Sequence, residues 1–352
     1  RGFSALTNVD MEFGSVTTDE GEIPLSQSSF GSLMQRRNRD VRRDAYKRFY
    51  AEFAGHENTL ATLLSGKVNL DIYRANVRNF PSARDAALFP DRVPVTVYDN
   101  LIDSVHENLG ALHRYYALRR RALGLDELRH YDVYVPLVPD LRVRHTYADA
   151  VDLITEALGP LGDEYTQTLR AGLLGGWVDR YETVGKRSGA FSSGGFDSDP
   201  FILMNYKEDV LRDVFTLAHE GGHSMHSWYS KRSNPYQHYR YTIFEAEVAS
   251  TFNESLLMHH MLDRDPEPQM RAYLLNKQVD DVVATLYRQT MFAEYERTIH
   301  EMVEAGEALT VSTLRGEYRK LLETYFGPDM VLEAESDLEG LRIPHFYMGF
   351  YV

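Results

Sequence analysis

Two histidines four residues apart, with a glutamate directly after the first, stand in LAHEGGHSMHSW at 217–228. On a helix His219 and His223 leave the same face, so both imidazoles can grip one ion. Glu220 sits one position round the cylinder, able to reach a metal-bound water without being a ligand. This is the H-E-x-x-H arrangement of zinc peptidases. A chance match is expected in roughly a few per cent of chains of this composition, and the surroundings lower that figure. Val210, Leu211, Val214, Phe215, Leu217 and Ala218 form an apolar stretch suited to a buried helix, where polar side chains must be paired or coordinated. Gly221 and Gly222 each cost about 1 kcal/mol of helix propensity relative to alanine. A local rule broken beside three polar residues marks a site.

A catalytic zinc needs a third protein ligand and an open position. The segment IFEAEVASTFNE at 243–254 offers Glu247, on a second predicted helix with room for a loop after His223. Glu245 is the rival, but two positions turn a helix by about 200°, so only one of the pair can face the metal; Glu245 reads as a solvated or structural carboxylate. Glu254, seven residues after Glu247, shares its face and is placed to orient a ligating histidine. His226 shares the face of His223 and reads as a supporting histidine rather than a ligand. His238, His259 and His260 read as ordinary histidines.

The elements that must position these groups are mostly helical. Leu101, Val105, Leu109, Leu112 and Tyr116 make one apolar stripe, which predicts a single helix from an N-cap at Thr96 to Gly124. Residues 29–78 read as two helices around RRNRDVRR, a block of mixed sign expected on a solvated face. T-Y-A-D at 146–149 resembles a capping box opening a helix that closes at Gly159-Pro160. His130 to Pro139 alternates like an edge strand. Ser188 to Tyr206 holds a Gly/Ser-rich turn before the run FILMNY, and 241–335 returns to helix. With no repeat and no Pro/Ser linker, the chain is expected to pack as one body.

Composition narrows the chemistry. The 352 residues include no cysteine, which excludes disulfides, thiolate metal sites and thiol nucleophiles and leaves His, Asp and Glu as metal ligands. Acidic residues outnumber basic ones 52 to 38, for a formal charge of −14, against the basic surface a nucleic-acid binder needs. No apolar stretch approaches the ~18 residues of a membrane span, and RGFSALTNVDMEF lacks a signal-peptide core. The location expected is cytoplasmic, with no membrane partner. The start at Arg1 and the stop inside HFYMGFYV point to a fragment of something longer.

HEGGHSMHSWYS followed by FEAEVASTFNE resembles the M3 family of zinc metallopeptidases, specifically its oligoendopeptidase F branch. HYDVYVPL at 130–137, GKRSGAFSSGGFDSDPFILMNY at 185–206 and IPHFYMGFYV at 343–352 resemble that branch in the same order. The resemblance implies one Zn2+ per chain on His219, His223 and Glu247, with Glu220 as general base. It implies a mainly α, zincin-like fold: a helical body around a deep channel, with a small β-sheet near the active site. It implies short peptides as substrates, and a C-terminal His and tyrosines that steady the tetrahedral intermediate, here His345, Tyr347 and Tyr351. Family members are longer at both ends. Residues 1–125 then read as part of a larger N-terminal helical lobe and 126–352 as the zinc-binding catalytic region, truncated at its C-terminus.

The glycine-rich stretch 185–195 fails the P-loop template, because the position five before Gly185 is Arg180. Gly189, Ala190 and Phe191 read instead as substrate-binding, at an edge where an extended peptide adds hydrogen bonds, with a simple surface turn as the competing reading. The expected function is a zinc-dependent oligoendopeptidase. The alternatives are a zinc carboxypeptidase on the same ligands, or a zinc- and peptide-binding protein without turnover.

Overall fold

In the computed structural model, which describes residues 2–138, 143–183, 186 and 189–349, helix takes 66% and strand 6%. That is about twice the helix of an average globular chain, so the mainly α expectation holds. The helices in chain order are α1 Gly2–Ala5, α2 Gln27–Met34, α3 Arg39–Gly55, α4 Glu57–Asn76, α5 Ala83–Leu88, α6 Val95–Glu107, α7 Leu109–Ala122, α8 Tyr147–Ala157, α9 Asp163–Leu174, α10 Leu211–Ser233, α11 Ile243–Asp263, α12 Pro268–Val282, α13 Arg288–Glu304, α14 Val311–Phe326 and α15 Glu339–Arg342. The strands are β1 Ser15–Thr18, β2 Gly21–Pro24, β3 Leu128–Arg129, β4 Val178–Asp179, β5 Phe191–Ser193, β6 Phe201–Leu203 and β7 Met330–Val331. Among the described residues no helix is long and apolar enough to cross a membrane.

The chain divides into two compact units. One joins Arg1–Leu137 to Asp280–Val352, and the other is Val138–Val279. Each has its own apolar core. In the first, Tyr46, Phe49, Tyr50 and Phe53 bury one face of α3, and Phe49 stacks on Phe13 and Phe30 with ring centroids 4.8 and 3.9 Å away. In the second, α8, α9, α10 and α11 close around Ile154, Leu169, Phe215, Leu217 and Leu257. Thr146 caps α8 with the full reciprocal box, Thr146 Oγ1 accepting from Asp149 N–H and Asp149 Oδ2 accepting from Thr146 N–H.

Several local expectations are corrected. The helix predicted from 96 to 124 is two, capped at Pro94 and broken at Asn108. The Asn108 side chain donates back to Ser104 O, competing with the helical ladder, and Tyr287 Oη takes the Asn108 carbonyl. Leu101, counted in the stripe, is 43% exposed. Residues 29–78 hold three helices, not two. The charged block is not wholly solvated: Arg42 is buried against Asp132 at 2.6 Å, and Arg39 bonds the same carboxylate at 2.8 Å. Asp132 also accepts from Arg129 N–H, which turns His130–Asp132 into a 3-10 turn where a strand was expected. Only Leu128–Arg129 pairs, in parallel, with Met330–Val331; Pro139 lies outside the described residues.

Near the histidine helix, β4, β6 and β5 form a small sheet in that order, with β5 antiparallel to β6 at one edge.

Candidate metal centre

The helix α10 buries Leu211, Val214, Phe215, Leu217, Ala218, Met225 and Trp228, and this fixes which way its polar residues point. His219 and His223 emerge one turn apart, their rings 4.8 Å between centroids and nearly perpendicular. The helix α11 lies against α10. Its N-terminus is capped by Thr242 with Glu245, whose carboxylate accepts from Thr242 N–H, so Glu245 is spent on the cap. Asn253 Nδ2 donates to Ala218 O at 3.1 Å and Asn253 Oδ1 accepts from Tyr165, which pins the two helices together.

Gly222 makes that approach possible. A Cβ there would lie 2.6 Å from both Ala249 O and Ser250 Cα, inside any real contact. At Gly221 a Cβ would meet the Leu169 side chain, with Cδ1 at 3.1 Å and Cδ2 at 3.7 Å. The helix-propensity loss seen in the sequence is thus offset by close packing of α10 on α11.

Glu247 reaches from α11 to the histidine pair. His219 Nε2 and His223 Nε2 each lie 3.4 Å from Glu247 Oε2, and among the described residues these three form the group able to hold a metal ion. At 3.4 Å the contacts are longer than good hydrogen bonds. Ligand atoms on one tetrahedral zinc, bound at about 2.0–2.1 Å, lie about 3.3–3.4 Å apart. Two imidazoles and a carboxylate are a zinc donor set, so the residues present fit the ion.

The supporting groups are equally specific. Glu254 Oε1 lies 2.7 Å from His219 Nδ1 and sets the proton on that nitrogen, which leaves the Nε2 lone pair facing Glu247. Burial opposes the charged His219 ring, but the Glu254 hydrogen bond and charge outweigh it and its pKa rises above the ordinary value. For His223 burial prevails and the pKa falls, against Glu247 and a hydrogen bond to the Ala246 carbonyl. Ser250 Oγ donates to Glu247 Oε2 at 2.7 Å, and Lys277 Nζ stands 3.8 Å from Glu254 Oε2.

Glu220 is buried, 6% exposed, and its Oε2 has no hydrogen-bond partner. Burial raises its pKa, with Glu247 adding to the rise while His219 and a hydrogen bond from the Ser192 main chain lower it. A carboxylate with a free oxygen and a heightened affinity for protons is equipped to act as a base.

His226 stays out of the ligand group. Its ring stacks on Tyr241 at 3.6 Å, its Nδ1 has no partner, and burial lowers its pKa. Gly189, in the left-handed region at φ 88°, and Ala190 lead into β5 at Phe191. Asn205 Nδ2 donates to Gly189 O. His345 is exposed, on a 3-10 turn of the other compact unit. Tyr347 there stacks on Phe3 at 4.1 Å and its hydroxyl donates to Leu341 O at 2.8 Å. Tyr351 lies outside the described residues.

Ser250, Ser192 and Lys277 were not singled out in the sequence. Ser250 carries a usable signal, three residues after Glu247 on the same helix. Ser192 and Lys277 carry none, since only folding brings β5 and α12 to this point.

The sequence profile described as Peptidase family M3 matches residues 32–352. The chain is 45% identical over 351 residues to an "Oligoendopeptidase F homolog" of Borreliella burgdorferi, covering 99% of this chain and 59% of that protein. It is 44% identical over 351 residues to the "Oligopeptidase PepF" of Bacillus subtilis, covering 99% and 52%. The crystal structure of oligoendopeptidase-F from Enterococcus faecium superposes with a TM-score of 0.78 at 33% identity, over 99% of this chain and 56% of that one. The chain therefore spans between half and three fifths of the length of these relatives.

Proposed function

The chain belongs to peptidase family M3, and from that premise we propose that it works as a zinc-dependent oligoendopeptidase, hydrolysing internal bonds of short peptides with Glu220 as general base. What carries the proposal is the convergence of His219 Nε2 and His223 Nε2 on Glu247 Oε2, each at 3.4 Å, beside the unpartnered Glu220 Oε2.

Zinc held by His219, His223 and Glu247 supplies, when bound, a Lewis acid for the scissile carbonyl and a water acidified toward neutral pH. Glu220 takes the proton of the attacking water on its free Oε2 and passes it to the leaving amine. Glu254 and Ser250 hold His219 and Glu247 in their binding orientations. Gly189, Ala190 and Phe191 present main-chain groups at the β5 edge to an extended peptide. By resemblance to the family, His345 or one of the tyrosines Tyr347 and Tyr351 steadies the developing oxyanion. The division into a helical region 1–125 and a zinc-binding region 126–352, the channel and the cytoplasmic location belong to the same proposal, by resemblance to the family.

A quenched peptide of about ten residues tests it on zinc-loaded protein. Internal cleavage is expected, abolished by a chelator and reduced at least ~10²-fold in kcat by Glu220→Gln. Retention of more than about a tenth of kcat in Glu220→Gln would refute the base, and products lacking only C-terminal residues would favour a carboxypeptidase.

A further inference from the structure

A polar cleft of about 320 Å³ opens beside the C-terminal half of α10. Ser192, Ser227 and Tyr241 contribute hydroxyls to it, and Lys231 and Arg240 contribute charge, while among the described residues no carboxylate lines it. In a chain of net charge −14 most described cations are paired with acids, but these two have no ion pair among the described residues. Lys231 Nζ donates to Ser198 O. Among the described residues Arg240 reaches Tyr239, its Nε 3.4 Å from the hydroxyl and its guanidinium over the ring.

The cleft begins at the reacting centre. Ser192 lines it and also hydrogen-bonds Glu220 through its main chain, while its Oγ meets Ser224 Oγ on α10 at 2.8 Å. Tyr241 closes the wall, bonded to Ser227 and stacked on His226. From Ser192 the wall continues past the end of β5 at Ser193 to Gly195, three residues and so at most about 10 Å of chain at ~3.3 Å per residue. A peptide lying along β5 would bring into the cleft a group two or three residues from the bond being cut.

We propose that this cleft is a subsite for a substrate carboxylate, held by Arg240 and Lys231, so that peptides with an acidic group two or three residues from the scissile bond are preferred. The assignment deepens the peptidase reading and rests on it. An ammonium and a guanidinium with neighbouring hydroxyls offer charge-assisted donors and no competing acceptor charge. The carboxylate can be the free α-carboxyl end of a short peptide or an Asp or Glu side chain.

The test compares three peptides of one length on the full-length, zinc-loaded protein: a free acid, its C-terminal amide, and the amide with Glu at the second or third residue past the cleaved bond. Dissociation constants are read in Glu220→Gln, and kcat/KM in the protein with Glu220 intact. Binding at least about tenfold tighter for one acidic peptide than for the amide is expected, and which acid wins identifies the source. In Glu220→Gln combined with Arg240→Ala the ratio should fall below about threefold, with partial recovery for Arg240→Lys. Equal dissociation constants for acid and amide would overturn the subsite. So would a preference that Arg240→Ala leaves unchanged, since the carboxylate would then be on the metal. If nothing is cleaved the peptidase reading fails, yet the ratio of dissociation constants still decides the cleft.

Discussion

Gly222 and Ser250 meet without a side chain between them: a Cβ on Gly222 would stand 2.6 Å from Ser250 Cα. Ser250 in turn holds Glu247 Oε2 at 2.7 Å. The spacing of α10 and α11 at this contact therefore governs how far Glu247 stands from His219 and His223.

Gly222→Ala should push α11 away and separate the ligand atoms. We expect zinc affinity to fall at least about tenfold and stability by about 1–3 kcal/mol, the usual range for overpacking. Gly221→Ala, facing the Leu169 side chain at 3.1 Å, should do neither to that extent and should gain helix propensity. Chelator competition and denaturant titration of the two variants check this. Equal zinc affinity in both would show that the close approach at Gly222 does not set the ligand distance.

Glu254→Ala should weaken zinc binding by roughly 10–100-fold, because outer partners of a ligating histidine act on this scale. Glu254→Gln can still accept from His219 Nδ1 and should lose less. Ser250→Ala, which removes one neutral donor from Glu247, is expected to fall below Glu254→Ala in effect. Metal titration against a fluorescent chelator gives the order, and unchanged affinity in Glu254→Ala would remove its orienting role.

Acidification should destabilise the unit that holds His130. Burial lowers the His130 pKa to about 4, against about 6.5 in an unfolded chain. Between those values the unfolded chain binds a proton that the folded chain refuses, so stability is full above about pH 6.5 and drains as pH falls, by up to about 3 kcal/mol near pH 4. Burial opposes the Glu339 charge as well, yet Arg288 and Arg342 outweigh it and hold its pKa well below the usual range. Its contribution stands above the ordinary glutamate value and is lost below it. In the difference between the protein and His130→Gln, measured by denaturant between pH 7 and 5, the slope should be small near pH 7 and approach that of one proton toward pH 5. No slope in that window would contradict a buried neutral His130.

Local spacing made the metal centre legible. His219, His223, Glu247 and Glu254 all lie on two helices, where steps of three, four and seven fix a shared face before any packing is known. The partners of those residues were hidden when they came from other elements. Ser192 reaches Glu220 from β5, Lys277 reaches Glu254 from α12, and Asp132 withdraws Arg42 from solvent across 90 residues of sequence. Periodicity also ran straight through Asn108, because an apolar stripe carries no record of a side chain that bonds its own turn.

The sequence by itself placed His219, His223 and Glu247 on two helices and carried the resemblance to the family. The placement follows from residue type and short-range geometry, which hold whatever the chain packs against, and the resemblance from motif blocks standing in the same order. Only the tertiary structure decided that the paired glycines serve a helix contact, that Glu220 is stripped of water with one oxygen left free, and that Asp280–Val352 packs with Arg1–Leu137. Each depends on residues far apart in the chain, and hydrophobic burial, which brings them together, acts on area without regard to sequence order.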